Sequence, residues 1–150
     1  MRVIIQRVSK SSVSINGHQH AGIKNGFTLL LGIGQTDEKE DAEWLASKVI
    51  NLRVFEDDAQ KMNLSIREID GEILVISQFT LFASYKKGNR PSFLGSAAPE
   101  KAIPLYEYFI KLLENELPGK IKSGVFATMM EVNITNHGPV TIHMDSKNRE

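Results

Sequence analysis

The stretch Phe27-Thr28-Leu29-Leu30-Leu31-Gly32-Ile33 is almost continuously apolar, and Glu72-Ile73-Leu74-Val75-Ile76-Ser77 follows the same pattern. A strand that is apolar on both sides is typical of a central position in a sheet whose two faces are covered. Between these two runs, apolar residues recur every three or four positions, which predicts an amphipathic helix. These residues are Ala42, Leu45, Ala46, Val49 and Ile50. The alternation of strand, helix and strand indicates an α/β protein.

The N-terminal part extends this pattern with a hairpin. Residues Arg2 to Val8 alternate as a strand does, and Asn16-Gly17 is a strong hairpin turn between Ser12–Ile15 and a return strand at Ala21–Ile23. Asp37 with Glu40 resembles a capping box and predicts the start of the first helix.

The C-terminal half contains a second helix and the strands that close the sheet. Asp70-Gly71 is predicted to be a hairpin turn, and Pro99 suits the first turn of a helix. The remaining runs are predicted to be short strands: Leu52–Phe55, Ile121–Phe126, Met130–Thr135 and Val140–Met144. No linker interrupts the chain, so residues 1–150 are expected to form a single domain.

Composition excludes several classes of function. The 150 residues carry 18 basic and 18 acidic side chains, so the protein is not a bulk nucleic-acid coat, and no DNA partner is expected. Because cysteine is absent, disulfides, thiolate nucleophiles and cysteine-based zinc sites are excluded. The early charges at the N-terminus and the lack of a long apolar run predict a cytoplasmic protein with no membrane partner.

The sequence gives little indication of a catalytic triad or of a metal site. No Gly-x-Ser-x-Gly elbow is present, and the hydroxyls at strand ends, Ser77 and Thr80, have no histidine or carboxylate near them in sequence. His18 and His20 could share a strand face, but a solvated hairpin is the better interpretation because a third ligand is missing. We therefore predict no metal site and no cofactor.

Two segments suggest instead a site made of main-chain groups and hydroxyls. They are Ser77-Gln78-Phe79-Thr80-Leu81-Phe82 and Asn136-His137-Gly138-Pro139-Val140-Thr141. A Gly-Pro step is where a cis peptide costs least, and glycine lets a bare backbone approach a ligand. A third segment, the loop from Tyr85 to Ser96, carries Lys86, Lys87 and Arg90, which either hold phosphates or form a solvated surface.

The first two segments resemble the signature motifs of the D-aminoacyl-tRNA deacylase family, also described as D-tyrosyl-tRNA(Tyr) deacylases. The N-terminal segment Met1–Val8 and the run Phe126-Ala127-Thr128-Met129-Met130 are also similar to that family, although alanine stands at 127 where glycine is usual. The resemblance implies an α/β (α+β) fold, a compact barrel-like mixed β-sheet with flanking helices, assembled as a homodimer. It also implies a cis Gly138-Pro139 peptide that projects into the partner's pocket.

The same resemblance implies the reaction and the site. The enzyme would hydrolyse the ester of D-aminoacyl-tRNA, and of glycine mischarged on tRNA(Ala), while sparing L-aminoacyl-tRNA. The expected catalytic residues are Gly138, Pro139, Thr80 and Phe79. The expected substrate-binding residues are Ser77, Gln78, Phe126, Met130, Asn136 and Arg7. The resemblance also implies that Arg7 helps to hold the loop that contains Gly138 and Pro139.

The residues themselves are consistent with this interpretation. A backbone barrier would reject L side chains by a clash and could not reject glycine. The adjacent ribose 2′-hydroxyl of the tRNA would assist hydrolysis, which explains the missing protein nucleophile, while N–H groups near Phe79 and Thr80 stabilise the oxyanion. Two alternatives stay open: an editing enzyme of the same fold with a trans Gly-Pro peptide, and a non-catalytic RNA-binding module.

Overall fold

The computed structural model describes residues 1–149 and shows a mixed sheet with two helices. The strands are β1 (Arg2–Ile15), β2 (His18–Ile23), β3 (Gly26–Gly32), β4 (Phe55–Glu56), β5 (Met62–Leu64), β6 (Glu72–Ser77), β7 (Ile121–Ser123) and β8 (Glu131–Asp145). The helices are α1 (Lys39–Asn51) and α2 (Pro99–Glu116), and a 3-10 helix spans Phe79–Phe82.

Strand β1 organises the sheet because it is long enough to pair with three neighbours. One of its edges pairs with β3 near the start and with β2 near the end, and its other edge pairs with β8 along most of its length. The order β2-β1-β3-β6-β7, with β8 on β1, gives a nearly closed, barrel-like sheet. This confirms the predicted fold class. The parallel pairs β3–β6 and β6–β7 place β6 in the interior.

Both faces of the central strands are buried, as their apolar runs predicted. Phe27, Leu29 and Leu31 pack with α1 and α2 in the larger core, whereas Leu74 and Ile76 belong to a second cluster on the other face. A strand with one face in water alternates polar and apolar residues, whereas a strand that is covered on both faces can be apolar throughout.

Four local predictions of strands and turns were wrong. Asp70-Gly71 is a turn, but it joins no hairpin, because the following strand β6 pairs in parallel with its neighbours. The runs Met130–Thr135 and Val140–Met144 form one strand, β8, because β1 is long enough to pair with both. The predicted strand Leu52–Phe55 is reduced to β4, which within residues 1–149 pairs only with β5. The predicted strand Ile121–Phe126 is shortened to β7, because the chain turns after Ser123 and the Thr128 N–H donates to the Val125 carbonyl.

The start of α1 lies one residue later than the sequence suggested. Glu38 is the N-cap, and its N–H donates to the Asp41 carboxylate at 2.8 Å. Asp37 is buried and accepts hydrogen bonds from the Met1 ammonium and from the Gly34 N–H, both at 2.6 Å. Asp37 thus ties the start of β1 to the segment that leads out of β3.

Candidate active site

A cleft of about 710 Å³ opens where β3 and β6 end and α2 begins. Its floor comes from Leu31, Ile33 and Ile76, and one wall comes from Ser77, Gln78 and Phe79. The opposite wall contains Phe126 and Met130, two further residues predicted for substrate binding. Five of the predicted site residues therefore line one cavity, and its surface is mainly apolar.

The 3-10 helix Phe79–Phe82, called here the site turn, is attached directly to β3. The Gln78 N–H donates to the Leu31 carbonyl at 2.8 Å. A side chain at position 32 could not be accommodated, because a Cβ on Gly32 would lie 2.9 Å from the Gln78 oxygen and 3.1 Å from the Leu81 Cβ. Glycine at this position lets the turn rest on the strand backbone.

The site turn places an aromatic ring in the cleft, and two of its N–H groups beside the cleft have no hydrogen-bond partner in the described part of the chain. Phe79 is 55% exposed and contacts Phe93 edge to face, with 5.0 Å between ring centroids. The Leu81 N–H donates to the Gln78 carbonyl, but within residues 1–149 the Phe79 and Thr80 N–H groups donate to no acceptor. The first N–H groups of a helix lack intrahelical partners, so the two groups are available to a ligand.

Thr80 does not line the cleft and is not set up as a nucleophile. Its hydroxyl accepts a hydrogen bond from the Gln78 side-chain amide. In the described part of the chain, neither Ser77 nor Thr80 is hydrogen-bonded to a histidine or a carboxylate. The arrangement needed for a Ser/Thr–His–Asp triad is therefore not present among residues 1–149.

The wall formed by Phe126 is supported from inside the protein. The buried Tyr106 ring packs edge to face against Phe126 at 5.7 Å, and its hydroxyl donates to the Val75 carbonyl at 2.9 Å. Burial raises the pKa of Tyr106 far above its usual value, so its proton stays on the oxygen. The next residue, Ala127, has a φ of +56°, a conformation that favours glycine. This conformation explains why glycine would suit that position.

The Gly138-Pro139 segment lies on the outer strand β8, as a bulge. Asn136 pairs with Val8 and Thr141 pairs with Gln6, so residues 137–140 stand opposite the single residue Arg7. The peptide bond between Gly138 and Pro139 is cis. Residues 136–139 are all exposed, and only residue 140 is partly covered.

Arg7 holds this bulge from below. Its guanidinium donates to the His137 carbonyl at 2.9 Å through Nε and to the Val54 carbonyl at 2.5 Å through Nη1. It also lies 3.7 Å from the Glu56 carboxylate, and only 4% of Arg7 is exposed. A buried, fully engaged guanidinium fixes the bulge rather than serving a ligand directly.

The structure does not bring the bulge to the cleft of the same chain. Arg7, opposite the bulge, pairs with Phe27, whereas the cleft begins at Leu31 on the same strand. Four strand residues correspond to about 13 Å. The cleft lining contains neither Gly138 nor Pro139, and it contains neither Asn136 nor Arg7.

The predicted phosphate-binding residues lie on an exposed loop beside the cleft. Mutual hydrogen bonds between the Ser84 and Ser92 backbones, at 2.7 and 2.8 Å, close this loop. Within residues 1–149, none of Lys86, Lys87 and Arg90 forms an ion pair. Their charges are therefore not neutralised by a carboxylate partner.

Several cleft residues were not anticipated from the sequence. They are Phe93, Ser96, Ala97, Thr128, Met129 and Val132. Phe93 and Met129 could have been suspected, because large apolar residues in otherwise polar loops often contact ligands. Nothing in the sequence indicated that the small residues would line the cleft.

Two kinds of feature are absent from the described residues. In the described residues, no three His, Asp or Glu side chains are grouped so that they could hold a metal ion. Neither helix between residues 1 and 149 has the length and apolarity needed to cross a membrane.

Comparison with known proteins identifies the family. The sequence model of the family described as D-Tyr-tRNA(Tyr) deacylase matches residues 4–145. D-aminoacyl-tRNA deacylases from Cytophaga hutchinsonii and Flavobacterium johnsoniae are 57% and 54% identical to the chain over 150 residues, with full coverage of both chains.

Solved structures give the same result for the fold. The c-Myc DNA Unwinding Element Binding Protein superposes with a TM-score of 0.92 at 39% identity, covering 97% of this chain and 98% of its own. A probable eukaryotic D-amino acid tRNA deacylase shares the fold with a TM-score of 0.80 at 15% identity, covering 95% and 97%. The chain thus belongs to the D-Tyr-tRNA(Tyr) deacylase family and is a hydrolase of ester bonds in D-aminoacyl-tRNA.

Proposed function

We propose that the cleft binds the terminal adenosine of D-aminoacyl-tRNA, and of glycyl-tRNA(Ala), and that the enzyme hydrolyses the aminoacyl ester there while sparing L-aminoacyl esters. The observation that carries the proposal is the pair of unengaged N–H groups, of Phe79 and Thr80, at the edge of an apolar cleft. The cleft offers aromatic and thioether surface for a base, and the turn offers donors for a developing negative charge.

The apolar walls suit a nucleobase. Phe79, Phe126 and Met130 present ring faces and a polarizable sulfur, against which bases of any sequence pack well. Ser77 and Gln78 add polar groups along the same wall, where they can fix the orientation of the base or ribose. The basic residues Lys86, Lys87 and Arg90 lie where they can contact phosphates of the acceptor stem.

The catalytic step requires no side-chain nucleophile. Water attacks the ester carbonyl, the bond to the ribose 3′ oxygen breaks, and that oxygen takes up a proton while the amino acid leaves as the acid. The neighbouring 2′-hydroxyl of the tRNA is positioned to assist this proton transfer. The Phe79 and Thr80 N–H groups stabilise the oxyanion, and loss of one such donor typically costs about 10²–10³ in rate.

Chirality is proposed to be read by a second copy of the chain. The bulge is exposed, is rigidly held by Arg7, and does not reach its own cleft. In a homodimer, the backbone of Gly138 and Pro139 would enter the partner's cleft beside the substrate Cα. An L side chain would clash with this backbone, whereas a D side chain would point away and glycine would have nothing to clash.

The proposal is tested with four esters on purified protein: D-tyrosyl-tRNA, D-aspartyl-tRNA, glycyl-tRNA(Ala) and L-tyrosyl-tRNA. The first three should be hydrolysed and the last should survive. If one D-amino acid alone is accepted and glycine is refused, the cleft selects particular side chains and rejection by the backbone is wrong. Sedimentation at assay concentration should give a dimer, and a monomer with full activity would contradict a shared site.

DNA binding is a second candidate, because one relative at 39% identity is described as a DNA unwinding element binding protein. The balanced charge of 18 basic and 18 acidic residues argues against a large phosphate-neutralising surface. Excess duplex DNA should therefore leave deacylation unchanged. Strong competition by duplex DNA would show that the two ligands share the basic loop.

A further inference from the structure

The site turn is held from behind by Arg2, a residue outside the cleft. Its Nη1 donates to the Leu81 carbonyl at 2.9 Å, and its guanidinium carbon lies 4.5 Å from the centroid of the Phe82 ring. Arg2 therefore contacts the last two residues of the turn, whose first two N–H groups have no acceptor within residues 1–149.

Arg2 is itself fixed by a carboxylate on another strand. Its Nε donates to the Asp145 Oδ2 at 2.8 Å, and 13% of the Asp145 side chain is exposed, against 36% for Arg2. Partial burial raises the pKa of Asp145, but hydrogen bonds from the Lys147 N–H and from Arg2 outweigh it and hold the pKa below its usual range. Asp145 stays ionised at neutral pH and keeps the guanidinium in one orientation.

A hydrogen-bonded chain of peptide groups connects Arg2 to the cleft. In a 3-10 helix each N–H donates to the carbonyl three residues earlier, so the Phe82 N–H donates to the Phe79 carbonyl. The Leu81 carbonyl that accepts from Arg2 belongs to the same peptide group as the Phe82 N–H. The Phe79 carbonyl belongs in turn to the same peptide group as the Thr80 N–H.

Hydrogen bonds in such a chain polarise one another, and a charge at one end strengthens the effect. The two hydrogen bonds have the same effect. The guanidinium draws electron density toward the Leu81 oxygen, and the Phe82 N–H draws electron density toward the Phe79 oxygen. The Thr80 N–H at the far end consequently becomes a stronger donor.

We propose that Arg2 is a positioning residue of the deacylase reaction, which orients the site turn and polarises the Thr80 N–H toward the oxyanion. This inference rests on the proposed function, because it takes that N–H as an oxyanion donor. Since the effect acts on the transition state, it should alter kcat and leave substrate affinity almost unchanged.

The test compares Arg2→Lys and Arg2→Ala with Arg67→Met, a control in which an exposed arginine loses its ion pair with Glu116. Arg2→Ala should lower kcat for D-tyrosyl-tRNA about 10- to 100-fold, with KM changed less than about twofold. Arg2→Lys keeps the charge but lacks the planar fork, so it should fall between Arg2→Ala and wild type. The control should retain the wild-type kcat.

Added guanidinium ion, at concentrations well below those that denature the protein, provides a readout that a purely structural role would not move. It should restore part of kcat in Arg2→Ala and have no such effect on the control. Unchanged kcat in both Arg2 variants, or a folded Arg2→Ala protein that guanidinium fails to rescue, would overturn the inference. An inactive wild type would instead contradict the proposed function, so the two failures are distinguishable.

Discussion

The site turn and the Gly138-Pro139 bulge are both short interruptions of regular structure, but the fold treats them differently. The turn rests on β3, is held by Arg2 and reaches the cleft of its own chain. The bulge stands on the outer strand β8, is held by Arg7 and is exposed. One arginine from β1 supports each of them.

This difference indicates a division of work. Under the proposed function, the turn offers donors for a charge that develops during the reaction, so it acts in catalysis. The bulge offers only backbone and does not line the cleft of its own chain, so under the proposed function it acts in selection and through a second copy. Changes in the turn should therefore lower the rate for every substrate, whereas changes in the bulge should alter which substrates are accepted.

The largest expected effect comes from removing the 2′-hydroxyl of the tRNA, the group proposed to assist hydrolysis at the site turn. D-tyrosyl-tRNA whose terminal ribose is 2′-deoxy should react at least about 100-fold more slowly, because the assisting hydroxyl is gone. Thr80→Ala should stay within a few-fold of wild type, since the hydroxyl of Thr80 only accepts from Gln78. Single-turnover rates on both substrates measure this. Loss of activity in Thr80→Ala with a normal rate on the deoxy substrate would return the nucleophile role to Thr80.

A substitution in the bulge should have the next largest effect. The Cβ of Gly138→Ala would lie 2.9 Å from Arg7 Nη2 and 3.0 Å from the Val140 nitrogen, at a φ of +131°. We expect a displaced bulge, about 10-fold slower hydrolysis of D-tyrosyl-tRNA and weaker protection of L-tyrosyl-tRNA.

Gly88→Ala is the matched control for this substitution. It has a similar φ of +124° but no atom within 4 Å of the added Cβ. Both variants place an alanine at a positive φ, which is unfavourable, but only Gly138→Ala also brings the new Cβ into close contact with other atoms. If melting temperatures and substrate selection change equally in the two, the close contacts at position 138 have no functional role.

The basic loop beside the turn should affect affinity alone. Replacing Lys86, Lys87 and Arg90 together with glutamine should raise KM about 10-fold and flatten its salt dependence, because phosphate contacts are lost, while kcat changes little. A control with glutamine at Lys24, Lys61 and Lys111 removes the same charge from other exposed positions. Equal changes in the two triple variants would mean that net charge, rather than this loop, attracts the tRNA.

The smallest effect on activity is expected in α1, away from both regions. Burial raises the pKa of Asp41, but hydrogen bonds from the Lys147 ammonium and the Glu38 N–H outweigh it and lower the pKa from 3.8 to about 2. Because the folded-state pKa is depressed, the stabilisation is present above about pH 4 and is lost as the pH falls toward 2.

Asp41→Asn should therefore unfold about 2 kcal/mol more easily at pH 7 and become similar to wild type near pH 2, while deacylation at 25 °C stays normal. Thermal unfolding across this pH range measures the difference. A constant difference at all pH values would assign the effect to the helix cap rather than to the ionised carboxylate.

Much of the fold was predictable because its determinants are local. The apolar runs Phe27–Ile33 and Glu72–Ser77 are buried on both faces, and Asn16-Gly17 forms the predicted hairpin turn. The closing strands were less predictable. The length of β1 is what allows one continuous strand, β8, to pair with it both before and after the Gly138-Pro139 step.

The start of α1 shows the same limit. Asp37-x-x-Glu40 and Glu38-x-x-Asp41 are both plausible capping boxes in sequence. The choice depends on the burial of Asp37 against the Met1 ammonium, which is a contact between residues far apart in the chain.

By itself, the sequence determined the order of the main elements, the family, and the two motifs, because these depend on local periodicity and on residue types at short spacing. The tertiary structure alone decided which motif meets the cleft, and that Arg2 supports the site turn from the same strand on which Arg7 supports the bulge. The physical reason is that pairing register and burial join residues distant in sequence. The amino-acid sequence does not specify which charged side chains will find a partner in the folded protein.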